Sequence, residues 1–302
     1  MCRALHAYRD LPLWERFLTE LGCDPVLSGP TDSRMLARAS RIAPAEICLP
    51  ARAMVGHALS LSESVGVLLV PRLVCRRRHG VPLFGCPKSL ALPDLLRALL
   101  PTRTRVVELT VDERAHGDGT SLHRTARALG ATRARSRKAV RAALETPDTR
   151  SSLLACRPAF TAGGIGGTHR TRIGVVGHAY LVGDDTLSLH LADRIAALGA
   201  TPVLPRFTRL PWLPGPPALD WLYESELVAE ARHMVETTGV EGLILATSFA
   251  CGTAPVTAAS ILRDLARSIP AMTLVFDEHT AEAGLLTRLE SFLDLVDMRR
   301  QS

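Results

Sequence analysis

The sequence predicts an α/β protein built from two lobes, with a cleft at the carboxyl ends of the strands. Short apolar runs typical of buried strands alternate with longer helical patterns, which indicates a mainly parallel sheet. At 302 residues the chain is long enough for two domains with cores of their own. A glycine-rich break at 163–167 interrupts the alternation and predicts lobes at residues 1–162 and 168–302.

The first lobe is predicted to contain three strands and three helical stretches. Its strands are short apolar runs, whereas its helical segments are longer and mix apolar with charged residues. The strands lie at 25–28, 65–71 and 106–110, and the helices at 51–64, 93–100 and 121–144. We expect Gly130 to break the last helix, because glycine is a poor helix former.

The second lobe shows the same alternation more regularly. Its predicted strands lie at 172–176, 202–204, 242–247 and 271–276, and its predicted helices at 186–198, 218–237, 255–268 and 281–298. Loops at the carboxyl ends of strands line the ligand crevice of open α/β sheets. Residues directly after these strands are therefore the first candidates for a functional site.

The composition is that of an ordinary globular protein. Apolar residues make up 47% of the chain and charged residues 22%. No apolar run reaches the ~20 residues that a membrane span needs. The start lacks the apolar core and cleavage site of a signal peptide. We therefore expect a cytoplasmic protein with no membrane partner.

The net charge of +6 comes from a surplus of arginine concentrated between residues 103 and 141. Such a stretch can bind an anion or nucleic acid. A solvated helix with an arginine-rich outer face is the simpler interpretation, because no Tyr or Trp interleaves with these arginines to stack on bases. We expect no nucleic-acid partner.

Three cysteine motifs, far apart in the chain, are the strongest functional signal. They are EICLP around Cys48, GCPK around Cys86 and SFACG around Cys251. Each follows or closes an apolar run, so each thiol is expected where a strand meets a loop. Three thiols in one crevice are what an iron–sulfur cluster needs. The seven cysteines include no C-x-x-C pair, and a cytosolic chain has little use for disulfides.

The alternative for each cysteine is a small buried residue, which free cysteine often is. For Cys48 both interpretations stay open. The proline after Cys86 shapes a loop and favours the ligand role, with Lys88 beside a thiolate or a bound anion. Small neighbours of Cys251 permit a ligand to approach the backbone. Cys75, after the strand predicted to end at residue 71, is a candidate fourth ligand, although packing is the simpler explanation.

A polar segment directly after the last predicted strand is the candidate for proton transfer. It runs from Asp277 to Glu282 and includes Glu278 and His279. Acidic residues also suit the first turn of the following helix, so helix capping is the alternative. We predict that this segment lines the cleft beside Cys251, with His279 as the proton donor, because histidine titrates near neutral pH.

Nucleotide-binding and hydrolase motifs are weak or missing in the sequence. The glycines at 174–177 lack the G-x-G-x-x-G spacing, and residues 163–168 are not followed by the G-K-[ST] of a P-loop. No G-x-S-x-G nucleophile elbow occurs.

Taken together and in this order, the motifs resemble the acyl-CoA dehydratase activase-related proteins, which belong with the 2-hydroxyacyl-CoA dehydratase subunits. The resemblance covers most of the chain. It is carried by residues 13–17, 21–22, 26–28, 46–50, 56–57, 71–72, 86–88, 92–94, 173–177, 180, 247–252, 277–280, 282–284 and 287–290.

This resemblance implies two Rossmann-like lobes with a [4Fe–4S] site between them, and low-potential electron transfer linked to CoA-thioester chemistry. By position, Cys48, Cys86 and Cys251 match the three cluster cysteines. An ATP-dependent activase or another electron-donor protein is the implied partner, a CoA thioester the implied substrate, and a homo- or heterodimer is compatible with both. The chain departs from the family in lacking a D-x-G-[ST] phosphate loop, and in having Arg52 and Met54 in a stretch where a lysine is expected. It also has the residues TAP at 253–255 where a proline–aspartate pair is typical, and Ala281 where glycine is expected.

Two other functions stay open at this point, and whether the chain is itself an enzyme is one of the open questions. One is a non-catalytic scaffold that docks an activase ATPase. The other is a zinc site formed by the three cysteines and a histidine such as His57. Iron and sulfide analysis separates the cluster from zinc, and turnover with a reductant separates an enzyme from a scaffold.

Overall fold

The structure, a computed structural model, describes residues 1–78, 80–114, 118–146, 153, 170–205, 220–265 and 268–301. It is a mixed α/β protein, as the alternating pattern predicts. The chain forms two compact units, Met1–Leu153 with Leu219–Leu222, and Leu154–Ala218 with Tyr223–Ser302. The predicted boundary at 163–167 lies outside the described residues.

The described part of the first unit is a small sheet with helices packed around it. The strands are β1 (Val67–Arg78), β2 (Val81–Phe84) and β3 (Arg105–Asp112). The helices are α1 (Ala7–Glu20), α2 (Ser33–Ser40), α3 (Leu49–Ser62), α4 (Pro87–Leu99), α5 (Asp118–Ala128) and α6 (Arg133–Leu144).

Strand β1 is the centre of this sheet, whose order is β2-β1-β3. Strand β3 runs parallel to β1, and β2 returns antiparallel to it as a hairpin. The consecutive residues Leu68, Leu69 and Val70 on β1 are all buried, as expected of a strand covered on both faces. After β2 the chain passes very close to β1: a Cβ added at Gly85 would lie 2.0 Å from the Leu73 carbonyl oxygen. Only glycine allows this approach, which leads directly into Cys86.

The first unit departs from the predicted pattern in two places. No strand forms at 25–28, because this segment makes isolated hydrogen bonds with the N-terminus, such as Ser28 N to the Met1 carbonyl oxygen, instead of a ladder. Strand β1 runs on to Arg78 because it pairs with β2, a strand that the sequence pattern did not predict. Cys75 therefore lies inside β1 opposite Phe84, fully buried, and not in a loop after a strand.

Helices α1 and α2 were also not predicted, whereas the expected break near Gly130 is present. Gly130 has a φ of +81°, a left-handed conformation that glycine adopts readily. Helix α5 ends at Ala128, and α6 begins after Thr132, whose hydroxyl accepts a hydrogen bond from the Arg135 N–H at 3.3 Å.

The second unit is a four-stranded sheet with helical crossovers. Its strands are β4 (Arg172–Gly177), β5 (Thr201–Val203), β6 (Gly242–Ser248) and β7 (Ala271–Phe276). Its helices are α7 (Ala179–Val182), α8 (Leu191–Ala197), α9 (Leu222–Thr237, whose first residue belongs to the first unit), α10 (Ala254–Leu265) and α11 (Glu282–Gln301).

All four strands of this sheet are parallel, in the order β5-β4-β6-β7. Every residue of β6 is buried, as for a parallel strand covered on both faces. The chain moves from β4 to β5 on one side, and places β6 and β7 on the other. The strand order therefore reverses between β4 and β6. Open α/β sheets bind ligands at the carboxyl ends of the strands at such a reversal.

Local backbone conformation sets where the second-unit helices begin and how closely they pack. The helix predicted at 186–198 starts only at Leu191, because Leu189 and His190 have φ values of 50° and 55°. A Cβ at Gly242 would lie 2.7 Å from Val296 Cγ2, so glycine lets α11 lie close to β6. Within the described ranges, no helix combines the length and apolar character needed to cross a membrane.

Candidate functional site

Cys48 and Cys86 occupy the same local geometry in the first unit. Each is the last extended residue before a helix, with φ and ψ of −68° and 156° at Cys48 and of −68° and 151° at Cys86. Pro50 and Pro87 lie in the first turns of α3 and α4, where their fixed φ suits the helix and their missing N–H costs no hydrogen bond. Both thiols therefore lie at a helix N-terminus, which favours negative charge.

The two cysteine loops are joined by a hydrogen bond. Helices α3 and α4 pack against each other, and Lys88 Nζ donates to the Glu46 carbonyl oxygen at 2.6 Å. This bond links the turn after Cys86 to the turn before Cys48. In addition, the Ser89 N–H donates to Cys86 Sγ at 3.4 Å. Lys88, predicted to lie near a thiolate, thus connects the two predicted ligand loops of the first unit.

A buried histidine supports the Cys86 turn from helix α1. His6 Nε2 lies 2.7 Å from Ser89 Oγ, and His6 is 3% exposed. Burial lowers the pKa of His6 to about 4, against the opposing influence of Asp10. Asp10 is itself paired with Arg76 at 3.2 Å. The His6 ring is therefore neutral at pH 7 and serves as a fixed hydrogen-bonding partner of Ser89.

His57, the histidine considered for a zinc site, has both ring nitrogens in hydrogen bonds. Nδ1 lies 2.9 Å from Ser28 Oγ and Nε2 lies 3.0 Å from Thr31 Oγ1, in a fully buried ring. These bonds hold the segment around Ser28 and Thr31 against α3. A zinc ligand needs one ring nitrogen for the metal, so this environment disfavours a zinc site at His57.

The third predicted ligand, Cys251, lies in the second unit, in the turn between β6 and α10. The Cys251 N–H donates to the Ser248 carbonyl oxygen at 3.1 Å. Ala250 has a φ of 59°, a left-handed conformation that is uncommon for a residue with a side chain. Cys251 Sγ lies 3.7 Å from Thr253 Oγ1. A Cβ added at Gly252 would meet nothing within 4 Å, so there is open space beside the cysteine.

Next to this turn the second unit buries a histidine–carboxylate pair that was not predicted. His178 Nε2 lies 3.2 Å from Glu224 Oε1, and the two side chains are 4% and 3% exposed. The Thr253 hydroxyl donates a hydrogen bond to the same oxygen. Glu224 Oε2 is buried and makes no hydrogen bond in the described part of the chain. Thr253 therefore touches both the buried pair and Cys251.

The buried pair keeps the Glu224 carboxylate charged. Burial by itself raises the pKa of Glu224, but the charge of His178 and the hydrogen bonds from His178, Thr253 and Thr257 outweigh it, so the pKa is lowered. Two rings surround His178: Tyr180 stacks on it at 4.8 Å, and Tyr223 meets it edge-on at 6.3 Å. His178 directly follows strand β4, a position that the sequence pattern marks as a candidate for a functional site. Glu224 is one of several charged residues in α9, and nothing in the sequence distinguishes it.

The segment predicted for proton transfer follows β7, the strand beside the one that leads to Cys251. Its histidine, His279, is exposed to solvent. The Asp277 carboxylate accepts from the His279 N–H at 2.7 Å and from the Thr280 hydroxyl at 2.9 Å. The His279 side chain is 86% exposed, and its Nε2 lies 3.6 Å from Glu278 Oε1. These hydrogen bonds shape a turn before α11.

The described cysteines are all free thiols: Cys2, Cys23, Cys48, Cys75, Cys86 and Cys251. Cys75 is fully enclosed in the β1 ladder. Among the described residues, the group of three His, Cys, Asp or Glu side chains whose ligand atoms lie within 4.8 Å of one another is Asp185, His190 and Asp193, and it includes no cysteine. Two of these three side chains are exposed.

Comparison with known families gives a match over the first two thirds of the chain. The model of the CoA enzyme activase uncharacterised domain matches residues 1–207. The matched stretch includes Cys48, Cys86 and His178 and ends before Glu224 and Cys251. A search of curated proteins found no match. Because the match covers more than half of the 302 residues, the chain belongs to the CoA enzyme activase family that this domain defines.

Proposed function

We propose that this chain is an iron–sulfur protein of the 2-hydroxyacyl-CoA dehydratase and activase systems, acting in low-potential electron transfer or reductive chemistry. Its [4Fe–4S] cluster is bound by Cys48, Cys86 and Cys251. The observation that carries the proposal is the position of Cys48 and Cys86 at the N-termini of α3 and α4, whose loops are joined through Lys88. Membership of the activase family supports the same class of chemistry.

The residues present suit such a cluster. Iron–sulfur clusters are bound by cysteine thiolates, and a helix N-terminus stabilises a thiolate. Cys48 and Cys86 both have this position, and Lys88 adds a positive charge to the same pair of loops. Cys251 follows a backbone turn with open space at Gly252.

When bound, the cluster supplies one-electron transfer, and three protein ligands leave one iron open to a substrate or small ligand. The chain's own residues hold and tune the ligands. The first-turn N–H groups of α3 and α4 favour the charged form of each thiol. The hydrogen bond from the Ser89 N–H to Cys86 Sγ withdraws charge from that sulfur. The hydrogen bond between His6 Nε2 and Ser89 Oγ fixes the position of Ser89.

Low-potential reduction needs an electron donor. We propose an ATP-dependent activase or another electron-donor protein as the partner, and a CoA thioester or another small molecule as the substrate. A chain that only docks the activase and catalyses nothing is the competing function. Turnover of substrate by the purified partners with a strong reductant supports the catalytic role, and reduction without turnover favours the docking role.

Anaerobic purification followed by iron and sulfide analysis tests the cluster. We expect about four irons and four sulfides per chain, with broad absorption in the blue. The variants C48S, C86S and C251S should each lose most of the iron. C23S is the matched control, because Cys23 is a free, half-buried cysteine with no proposed role, and it should keep the wild-type iron content.

Three results would count against the cluster. A colourless protein with stoichiometric zinc supports the zinc alternative. A colourless protein without metal supports the scaffold alternative. Full iron content in C48S or C86S means that the ligands have been assigned to the wrong cysteines.

A further inference from the structure

The buried group formed by His178, Glu224 and Thr253 has no part in the function proposed above, yet it contacts Cys251. All four residues belong to the second unit. They lie where the strand order reverses, with His178 after β4 and Thr253 after β6. Burying a charged carboxylate is costly unless it is fully paired. The hydrogen bonds from His178 and Thr253 both end on Glu224 Oε1, and the Thr257 hydroxyl also lowers the pKa of this carboxylate.

The direction of each hydrogen bond in this group follows from which side chains can donate and which can only accept. A carboxylate can only accept, so His178 and Thr253 both donate to Glu224 Oε1. Thr253 has a single hydroxyl proton. While the Thr253 hydroxyl donates this proton to Glu224, the Thr253 oxygen can only accept a hydrogen bond from the Cys251 thiol, whose sulfur lies 3.7 Å away.

When Cys251 binds a metal, its sulfur needs a hydrogen-bond donor instead of an acceptor. Such a sulfur has lost its proton and can only accept a hydrogen bond. Rotation of the Thr253 hydroxyl about its C–O bond redirects the proton from Glu224 to the sulfur without moving the backbone. Glu224 Oε1 keeps the hydrogen bond from His178 when this happens. The same three side chains therefore suit both states of Cys251.

We propose that Thr253 is the positioning residue of the Cys251 sulfur, a role that rests on the proposed function. Its hydroxyl is bound to Glu224 while Cys251 is a thiol, and it turns to donate to the sulfur when Cys251 becomes a cluster ligand. Hydrogen bonds to ligand sulfurs help set the reduction potential of a cluster. Because a donated bond withdraws charge from the sulfur, Thr253 makes the cluster easier to reduce.

The variants T253V and T253S in the full-length protein test this role. Valine keeps the branched shape of the side chain without the hydroxyl, and serine keeps the hydroxyl. In the iron-loaded protein we expect T253V to shift the midpoint potential to a more negative value and T253S to leave it unchanged. The control is T247V, because Thr247 is a buried threonine of β6 whose hydroxyl donates to the Leu274 carbonyl oxygen at 3.3 Å. It should not shift the potential.

A second readout needs no iron. In the iron-free protein we measure the rate at which iodoacetamide alkylates Cys251, by mass spectrometry, with Cys86 as the internal reference. The thiolate is the form that iodoacetamide attacks, and the Thr253 hydroxyl can turn to donate to it. T253V lacks this donor and should therefore react about fivefold more slowly than the wild type, the factor expected for one net hydrogen bond. T253S and T247V should react at the wild-type rate.

The two readouts separate failure of this role from failure of the proposed function. If the wild type binds no cluster, the proposed function is wrong, and the alkylation rates alone decide the role of Thr253. A wild-type alkylation rate in T253V overturns the role, whether or not iron is bound. Equal shifts of the potential in T253V and T247V also overturn it, because they show a loss of packing and not of a specific hydrogen bond.

Discussion

Three histidines of this chain have contrasting surroundings, and those surroundings decide what each can do. His279 is an exposed side chain on a turn. His178 is buried against the Glu224 carboxylate. His6 is buried beside a serine and is neutral at pH 7. Of these, His178 alone is both paired with a buried acid and linked to Cys251.

Replacing His178 and His279 with alanine should have very different effects on stability. H178A removes the charge partner of the buried Glu224, which costs about 3 kcal/mol in similar buried pairs. H279A alters an exposed side chain and should change the free energy of unfolding by less than about 0.5 kcal/mol. Urea unfolding monitored by circular dichroism measures both. Equal stability of the two variants would show that Glu224 does not depend on His178 for its charge.

His6 should make stability depend on pH in the mildly acidic range. Its pKa is lowered to about 4 in the folded chain from an ordinary value of 6.5. The folded state therefore prefers the neutral ring, and the unfolded chain takes up a proton first as the pH falls. Stability should be fully present above about pH 6.5 and decline toward about pH 4. H6Q keeps a group that can hydrogen-bond to Ser89, and in urea unfolding it should lose this part of the pH dependence. Parallel profiles for H6Q and the wild type would contradict the expectation.

At the scale of secondary-structure elements, an ionic network fixes the helix that presents Cys86. Arg72 on β1 donates to Glu108 on β3 and to Asp94 on α4, each at 2.8 Å. Arg97 on α4 also reaches Glu108, at 3.1 Å. The network thus ties helix α4 to the two parallel strands beneath it. The position of the Cys86 thiol depends on this attachment as well as on its own turn.

The variant E108Q should weaken this attachment in a pH-dependent way. Hydrogen bonds from Arg72 lower the pKa of Glu108 to about 2 from an ordinary value of 4.5. The stabilisation is therefore present above about pH 4.5 and lost as the pH falls toward about 2. At neutral pH we expect E108Q to lose about 1–2 kcal/mol of unfolding free energy, the value of charge-assisted hydrogen bonds.

The control for this prediction is D94N, which alters an exposed partner of the same arginine. Solvent screens that pair, so D94N should cost less than E108Q. The urea unfolding curves of wild type and E108Q should converge as the pH is lowered. If the difference between them does not depend on pH, Glu108 contributes by packing and not by its charge.

At the scale of the whole molecule, the candidate ligands come from both compact units. Cys48 and Cys86 belong to the first and Cys251 to the second. The match to the activase domain covers the first unit as far as Leu153 and continues into the second, to residue 207. Cys251, Glu224 and Thr253 lie beyond that match. Iron analysis of C251S tests the role of Cys251, and the T253V variant tests that of Thr253.

The state of the cysteines over the whole chain can be checked without knowing the metal. The six described cysteines are free thiols. Metal-free protein, denatured without reductant, should therefore take up iodoacetamide at six or more positions, as counted by mass spectrometry. Uptake at fewer positions would reveal a disulfide and remove at least one of the thiols that the proposed cluster needs.

Much of the second unit could be predicted because its signal is local. The apolar runs at 172–176, 202–204, 242–247 and 271–276 match β4 to β7 to within one residue at each end. The central strands β4 and β6 are buried along nearly their whole length and give continuous apolar segments, whereas the edge strands β5 and β7 are partly exposed. The hairpin of the first unit was missed because β2 has only four residues and is defined by its pairing with β1. This pairing is local, since Arg78 at the end of β1 lies opposite Val81 at the start of β2. A run of four residues is nevertheless too short to show a strand pattern of its own.

For the candidate site, the sequence by itself determined the local turns. Pro50 and Pro87 lie in the first turns of α3 and α4, because the fixed φ and the missing N–H of proline act within one turn. Helix α4 nevertheless begins at Pro87, six residues before its predicted start at 93. The tertiary structure alone decided which histidine is paired with a buried acid. His178 and Glu224 are 46 residues apart, and each is an ordinary residue in its own segment. Their pairing, and the exposure of His279, depend on how distant elements pack, and no local pattern in the chain carries that information.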